Sequence, residues 1–248
     1  MGIPILILGE SGTGKSASMR NFKEDEVALV NVAGKPLPFR GSFDETIDSD
    51  QYRKIKQFAK DCFADTIVID DCQYLMANEF MRRASERGYD KFTEIGVNFW
   101  DLVNMVKELP PEKIVVFLSH IDRDDSGNEK MKTIGKLLDE KINIPGMFTI
   151  VLKTSVKDGK YSFITQNSGH DPVKSPMGMF PAEIDNDLKA IVDGVRNYYF
   201  GSGEPIPTPV EPKVEPSEPK VEPSEPKVEP TEPSEPPKRK RRTRKERS

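Results

Sequence analysis

The sequence predicts an α/β domain with a mostly parallel sheet, and three observations carry that expectation. Through residues 1–200, short β-rich runs alternate with stretches of helical spacing. Those runs are bounded by Gly- and Pro-containing loops. The first of them, Ile3–Leu8, ends in Gly9 and opens into a glycine-rich loop. The elements then follow in order. Ser16–Phe22 reads as a helix and Val27–Val32 as a second strand, followed by the stretch GKPLPFRG. Gln51–Phe63 has helical spacing, and Thr66–Ile69 is a third strand that runs into Asp70-Asp71. Residues 73–87 and 95–108 are expected to be helical, with Pro110-Pro111 stopping the second. Ile114–Leu118 is a fourth strand, and 134–142 a short helix. Phe148–Val156 and Lys160–Gln166 flank Lys157-Asp158-Gly159, which reads as a late β-hairpin. Residues 183–199 are expected to form a last amphipathic helix, with Leu188, Ile191, Val192 and Val195 on one face.

The 248 residues carry a formal net charge of -4, and that figure averages three compositions. Residues 238–248, KRKRRTRKERS, hold eight basic residues and one acid, hence +7. Residues 201–237 hold nine Glu, three Lys and twelve of the 21 prolines, hence -6. Taking both from the total leaves -5 on residues 1–200. VEPSEPK occurs at 214–220 and again at 221–227. Proline at this density blocks helix, and almost nothing apolar is present to offset ordering entropy. A disordered spacer of polyproline type is expected over 201–237, ending in the basic cluster 238–248. No run of about 18 apolar residues exists, so no spanning helix is expected. The opening MGIPILILGESG lacks a basic segment and its apolar run is short, so no signal peptide is expected. Cys62 and Cys72 read as two reduced thiols of a cytoplasmic protein.

Gly9-Glu10-Ser11-Gly12-Thr13-Gly14-Lys15-Ser16 fits G-x-x-x-x-G-K-[ST] in full, after a strand and before a helix, with Ala17 next. The glycines let successive N–H groups turn inward around an anion, and the helix start adds partial positive charge. Lys15 would reach the β- and γ-phosphates of a nucleotide, and the Ser16 hydroxyl would ligate Mg2+. Such a site needs an acid at the end of a neighbouring strand. Asp70 is the expected Mg2+ ligand. Asp71 is either the group that orients or deprotonates the attacking water, or an N-cap for the following helix. Ser119-His120 ends the fourth strand. In a five-strand core that strand would lie between the first and third, so Ser119 or His120 would sense the γ-phosphate, or His120 would simply cap a strand end. A GTP reader would need D-x-x-G and N-K-x-D, whereas this chain has Asp70-Asp71-Cys72-Gln73 and Ser119-His120-Ile121-Asp122. ATP is therefore the expected nucleotide. Arg82, Arg83 and Arg87 read as a solvated helix face rather than a kinase lid.

Together these residues resemble the RecA-like core of P-loop ATPases. Residues 1–200 look like the compact AAA/RecA-like ATP-binding proteins of bacteriophages, some of which are single-strand annealing recombinases. The segment Gln166-Asn167-Ser168-Gly169, followed by Lys174-Ser175-Pro176-Met177-Gly178-Met179-Phe180, adds to the likeness. The resemblance implies a P-loop NTPase fold, ATP with Mg2+, single-stranded DNA as partner and a homo-oligomer. It also implies a cation supplied by a neighbouring subunit. Lys174 is the candidate by position, with Lys157 and Lys160 as rivals and a solvated loop lysine as the other reading. The strand after the first helix ends Val30-Asn31-Val32 with no acid, where RecA carries its catalytic Glu. The counterpart of a DNA-facing loop is 122–133, DRDDSGNEKMKT, which has mixed charge and no aromatic residue. The basic cluster would instead supply phosphate contacts, serve as a nuclear localisation signal, or bind an acidic protein. The expected function is ATP hydrolysis in DNA recombination or single-strand handling. The alternatives are a helicase or helicase loader, and a slowly hydrolysing adaptor that recruits a replication or recombination partner through its tail.

Overall fold

The protein is described by a computed structural model over residues 1–135 and 137–201. The central strand is β1, Ile3–Gly9. It runs parallel to β5, Ile114–Arg123, with Ile3 opposite Ile114 and Gly9 opposite His120. On its other side it runs parallel to β7, Ile150–Lys157. Beyond β5 lie β4, Thr66–Asp70, then β2, Val27–Asn31, then β3, Glu45–Ile47, all parallel. Beyond β7 the sheet turns antiparallel through β8, Lys160–Ile164, and β9, Glu183–Asp185. A short β6, Glu129–Met131, pairs antiparallel with the outer end of β5. The order among the described residues is β3-β2-β4-β5-β1-β7-β8-β9. The fold is thus α/β with a mostly parallel sheet, and β5 does separate β1 from β4.

The inner strands are apolar at nearly every position because both faces are covered. Leu6 and Leu8 of β1 join one core, Ile5 and Ile7 the other. The first core is closed by α1, Tyr52–Asp61, α2, Gln73–Arg82, and α3, Asp90–Met105, through Ile55, Leu75, Ile95 and Phe99. The second is closed by α4, Leu188–Phe200, through Leu188, Ile191, Val192 and Val195, together with Met19.

Several expected elements are corrected. The helix expected at 16–22 forms as a six-residue 3-10 helix, Ser16–Asn21, in which the Ser18 hydroxyl donates to the Lys15 carbonyl. The helix expected over 73–87 stops at Arg82, where the Arg83 guanidinium is held by Glu79, Glu86 and Glu94. The next helix begins at Asp90 rather than 95. Buried Lys91 donates to the carbonyls of Arg83 and Glu86 and so satisfies the bend between them. The expected helix at 134–142 is reduced to a five-residue π-type turn, Leu137–Lys141. The last helix starts at Leu188, not 183, because the Asp187 carboxylate accepts from the N–H groups of Lys189 and Ala190. Glu183–Asp185 pairs with β8 instead. The hairpin at 157–160 is as expected, with positive φ at Asp158 and Gly159. Beyond Gly201, the linker 201–237 and the basic cluster 238–248 lie outside the described residues. No helix among the described residues is long and apolar enough to cross a membrane.

A buried ionic knot ties the β5–β6 arm to the sheet. Lys153 of β7 lies 2.7 Å from Glu129 and 3.2 Å from Asp171. Burial opposes the Asp171 charge, but the Ser168 hydroxyl, the Val173 N–H and Lys153 outweigh it and hold its pKa below the usual 3.8. A depressed carboxylate contributes stability that is complete above the unfolded-state value and lost as pH falls through the folded one. Asp171→Asn is therefore expected to lower stability at pH 7 by about 1–3 kcal/mol. The gap from the parent should close well below pH 3.8 in thermal melts. A gap that stays constant with pH would show that the charge is not what the knot uses.

Candidate functional site

The carboxyl ends of β1, β4 and β5 meet the Gly9–Ser16 loop at one cleft of about 390 Å³. Of the residues singled out in the sequence, Ser11, Gly12, Gly14, Lys15, Ser16, Ala17, Asp70, Asp71 and His120 line it. Gly9, Glu10 and Thr13 build the loop behind them. Two glycines are required by geometry. A methyl on Gly9 would fall 1.9 Å from Thr154 Oγ1 and 2.7 Å from Thr13 Oγ1. Gly14 has φ +91, and a methyl there would meet Tyr161 at 3.0 Å and Asn186 at 3.2 Å. The loop is braced from β7 by a Thr13–Thr154 hydroxyl bond of 2.6 Å.

Lys15 is buried and donates to the carbonyls of Gly9 at 2.9 Å and Glu10 at 2.8 Å. Burial lowers its pKa, against the pull of Asp71 and Asp70. The Ser16 hydroxyl donates to Asp70 Oδ1 at 3.0 Å, joining the loop to the end of β4 across 54 residues of sequence. Burial pushes the Asp70 carboxyl up to about 6, because the hydroxyl and Lys15 only partly compensate. A divalent cation would relieve that cost. No cluster of three or more His, Cys, Asp or Glu suited to a metal is found among the described residues. The Ser16 hydroxyl and the Asp70 carboxylate are a donor pair that fits Mg2+, which is commonly held by one or two protein oxygens plus phosphates and water.

Asp71 takes neither an ordinary backbone nor the N-cap role. Its φ is +57, a left-handed conformation that Asp tolerates better than longer residues. The N-cap of α2 is Cys72, and it makes no side-chain capping bond. The Asp71 carboxylate instead faces three partners: Lys35 Nζ at 3.0 Å, His120 Nε2 at 3.3 Å and Gln73 Nε2 at 3.4 Å. Burial raises its pKa, yet Lys35 and Gln73 outweigh this and leave it below 3.8. Burial and the Lys15 charge lower the pKa of His120, so its ring favours the neutral form. Gln73 also accepts from the His120 N–H at 3.2 Å, holding β5 against α2 before the strand runs on to Arg123.

Neither a protein-family model nor a curated protein matches this chain.

The sequence did not single out Lys35, Asn31, Gln73 or Tyr161 as site residues, although the first two stand where a loop leaves a strand end. Lys174 does not enter the cleft lining. It is exposed, and its backbone N–H and C=O pair with Val151, both at 2.8 Å. Lys157 and Lys160 are exposed beside Glu183 and Asp185. Arg82 pairs with Asp50 and Arg83 with Glu79, Glu86 and Glu94, so both serve the helical layer. Residues 122–133 extend β5 and return as β6, where Arg123 reaches Glu10 at 3.1 Å and Glu129 at 3.7 Å. A second cleft of about 420 Å³ lies under this arm, lined in part by Lys130 and Thr133 of the 122–133 stretch and by Gly169.

Proposed function

We propose that this chain binds ATP with Mg2+, hydrolyses it, and couples that cycle to single-stranded DNA as a P-loop NTPase of the AAA/RecA-like type. The observation that carries the reading is the Ser16–Asp70 contact at 3.0 Å, made beside Lys15 in a glycine loop. The position of β5 between β1 and β4 supports the same reading, because it brings His120 level with Gly9. When bound, ATP and Mg2+ supply the scissile phosphoanhydride and the charge neutralisation for its cleavage. The chain does the rest. The N–H groups around Gly12 and Gly14 and the Lys15 ammonium hold phosphate oxygens. Ser16 and Asp70 position the ion. Asp71, already ionised, orients water and accepts its proton at a carboxylate oxygen. His120 contacts Asp71 and lines the cleft, so it couples that carboxylate to β5 and the arm beyond it. The DNA and homo-oligomer parts of the proposal rest on the resemblance and on the basic cluster 238–248.

One observation favours a second reading. The Asp71 carboxylate is short and already held by Lys35, which suits a slow adaptor that binds ATP and recruits partners. Steady-state phosphate release with and without single-stranded DNA separates the two. Lys15→Ala is expected to reduce turnover by about 10²–10³-fold. A variant that hydrolyses ATP normally would remove the site assignment. Stimulation by DNA supports the coupled ATPase, and tight binding without stimulation supports the adaptor.

A further inference from the structure

We propose that Lys35 is the cation by which this cleft distinguishes a nucleoside triphosphate from a diphosphate. The inference rests on the nucleotide reading above and assigns a role that neither the loop motif nor the acidic strand contains. Among the described residues that line the cleft, Lys15 and Lys35 are the two permanent cations, and Asp70 and Asp71 oppose them. Lys15 belongs to the loop, donates to the carbonyls of Gly9 and Glu10, and already has its part in the nucleotide reading. Lys35 comes from a different element, the connection that leaves β2.

That connection is clamped. The Asn31 carboxamide donates to the Lys35 carbonyl at 2.9 Å and accepts the Lys35 N–H at 3.2 Å. Asn31 pairs with Asp70 in the sheet, so the clamp is anchored at the same level as the acids. Pro36 and Pro38 follow and also line the cleft, which limits the freedom of the segment. The Lys35 side chain therefore has a defined direction. Its Nζ lies 3.0 Å from Asp71 and 5.2 Å from the centre of the Tyr74 ring.

Charge decides what this arrangement is for. Two cations and two carboxylates leave the lining near neutrality. A triphosphate brings about one more negative charge than a diphosphate, and a terminal phosphate on the Asp71 side would meet a carboxylate of like charge. An ammonium has three donors and can keep Asp71 while donating to a phosphate oxygen. The Lys35 side chain is 61% exposed, so a ligand reaches it without first displacing packed groups. The chain thus supplies in cis a charge that the resemblance assigns to a neighbouring subunit.

An ordinary surface ion pair would act differently. It would alter stability slightly and leave nucleotide discrimination alone. Calorimetric titration of the full chain with ADP and with a non-hydrolysable ATP analogue, each with Mg2+, separates the two. Lys35→Ala is expected to weaken the triphosphate analogue by about tenfold and ADP by less than about twofold. Lys35→Arg should restore most of the difference, and thermal melts of both variants check that they fold. Equal losses for both ligands, or an unmoved ratio, would overturn the assignment while leaving the nucleotide reading intact. A parent chain that binds neither ligand would overturn both.

Discussion

Asp71→Asn is expected to lower ATP turnover by about 10²–10⁴-fold while nucleotide affinity changes by no more than about threefold. The substitution is clean for a structural reason. Asn tolerates the left-handed backbone at φ +57 as well as Asp does, so the turn after β4 is preserved. Its amide keeps an oxygen for Lys35 but cannot accept a proton from water. Asp71→Glu is the informative contrast. The longer acid would have to occupy a backbone region it disfavours. The Glu variant should therefore melt earlier than the parent and should not turn over faster. Paired measurements of kcat and of nucleotide affinity decide the matter. Near-normal turnover by the Asn variant would mean that Asp71 does not face the reacting water, and the role would pass from that carboxylate.

Gly9→Ala is the second large effect. The new methyl would overlap Thr154 Oγ1 at 1.9 Å, and that hydroxyl is buried and committed to Thr13 and to the Leu8 carbonyl. Either β7 or the loop must shift, at a cost of about 1–3 kcal/mol in stability. Because the loop also carries Lys15, nucleotide affinity should fall by more than about tenfold. The double variant Gly9→Ala, Thr154→Ala removes the worst overlap and leaves residue 154 Cβ at 3.2 Å and Thr13 Oγ1 at 2.7 Å, and the Thr13 hydroxyl, released from Thr154, can turn aside. It should recover most of the melting temperature. A single variant as stable as the parent would contradict the packing of the loop against β7.

The site was legible where the chemistry is local in sequence. The loop from Gly9 to Ser16 and the acids after β4, which the fold brings to one cleft, could be read because each is a short unbroken string. Buried strands were legible for a related reason: β1, β4 and the first half of β5 are apolar runs, although β5 continues past the expected Leu118 through polar residues to Arg123. What stayed hidden depends on distance. Lys35 acquires meaning only when β2 and β4 pair and bring Asn31 beside Asp70. Gln73 matters because its side chain spans from Asp71 to the His120 backbone, which adjacency in sequence does not reveal. β3 has three residues and sits at the sheet edge, too short for any pattern. β9 was absorbed into a helix because Glu183–Asp185 lacks an apolar run, and only the Asp187 cap marks where the helix begins. The 3-10 turn at 16–21 reflects competition from Ser18, a local bond that periodicity does not see.

The pairing of β1 has a consequence for how this chain is made. Ile3 pairs with Ile114, and Ile5 with Ile150, so neither edge of β1 is covered by anything translated close to it. During synthesis IPILIL leaves the ribosome as an unpartnered apolar strand and waits until most of the domain has followed. Contacts of such sequence separation close slowly, and short β-prone apolar segments without charge are those that seed aggregation. The strand that later carries the loop into the cleft is thus, for an interval, an open edge on the nascent chain.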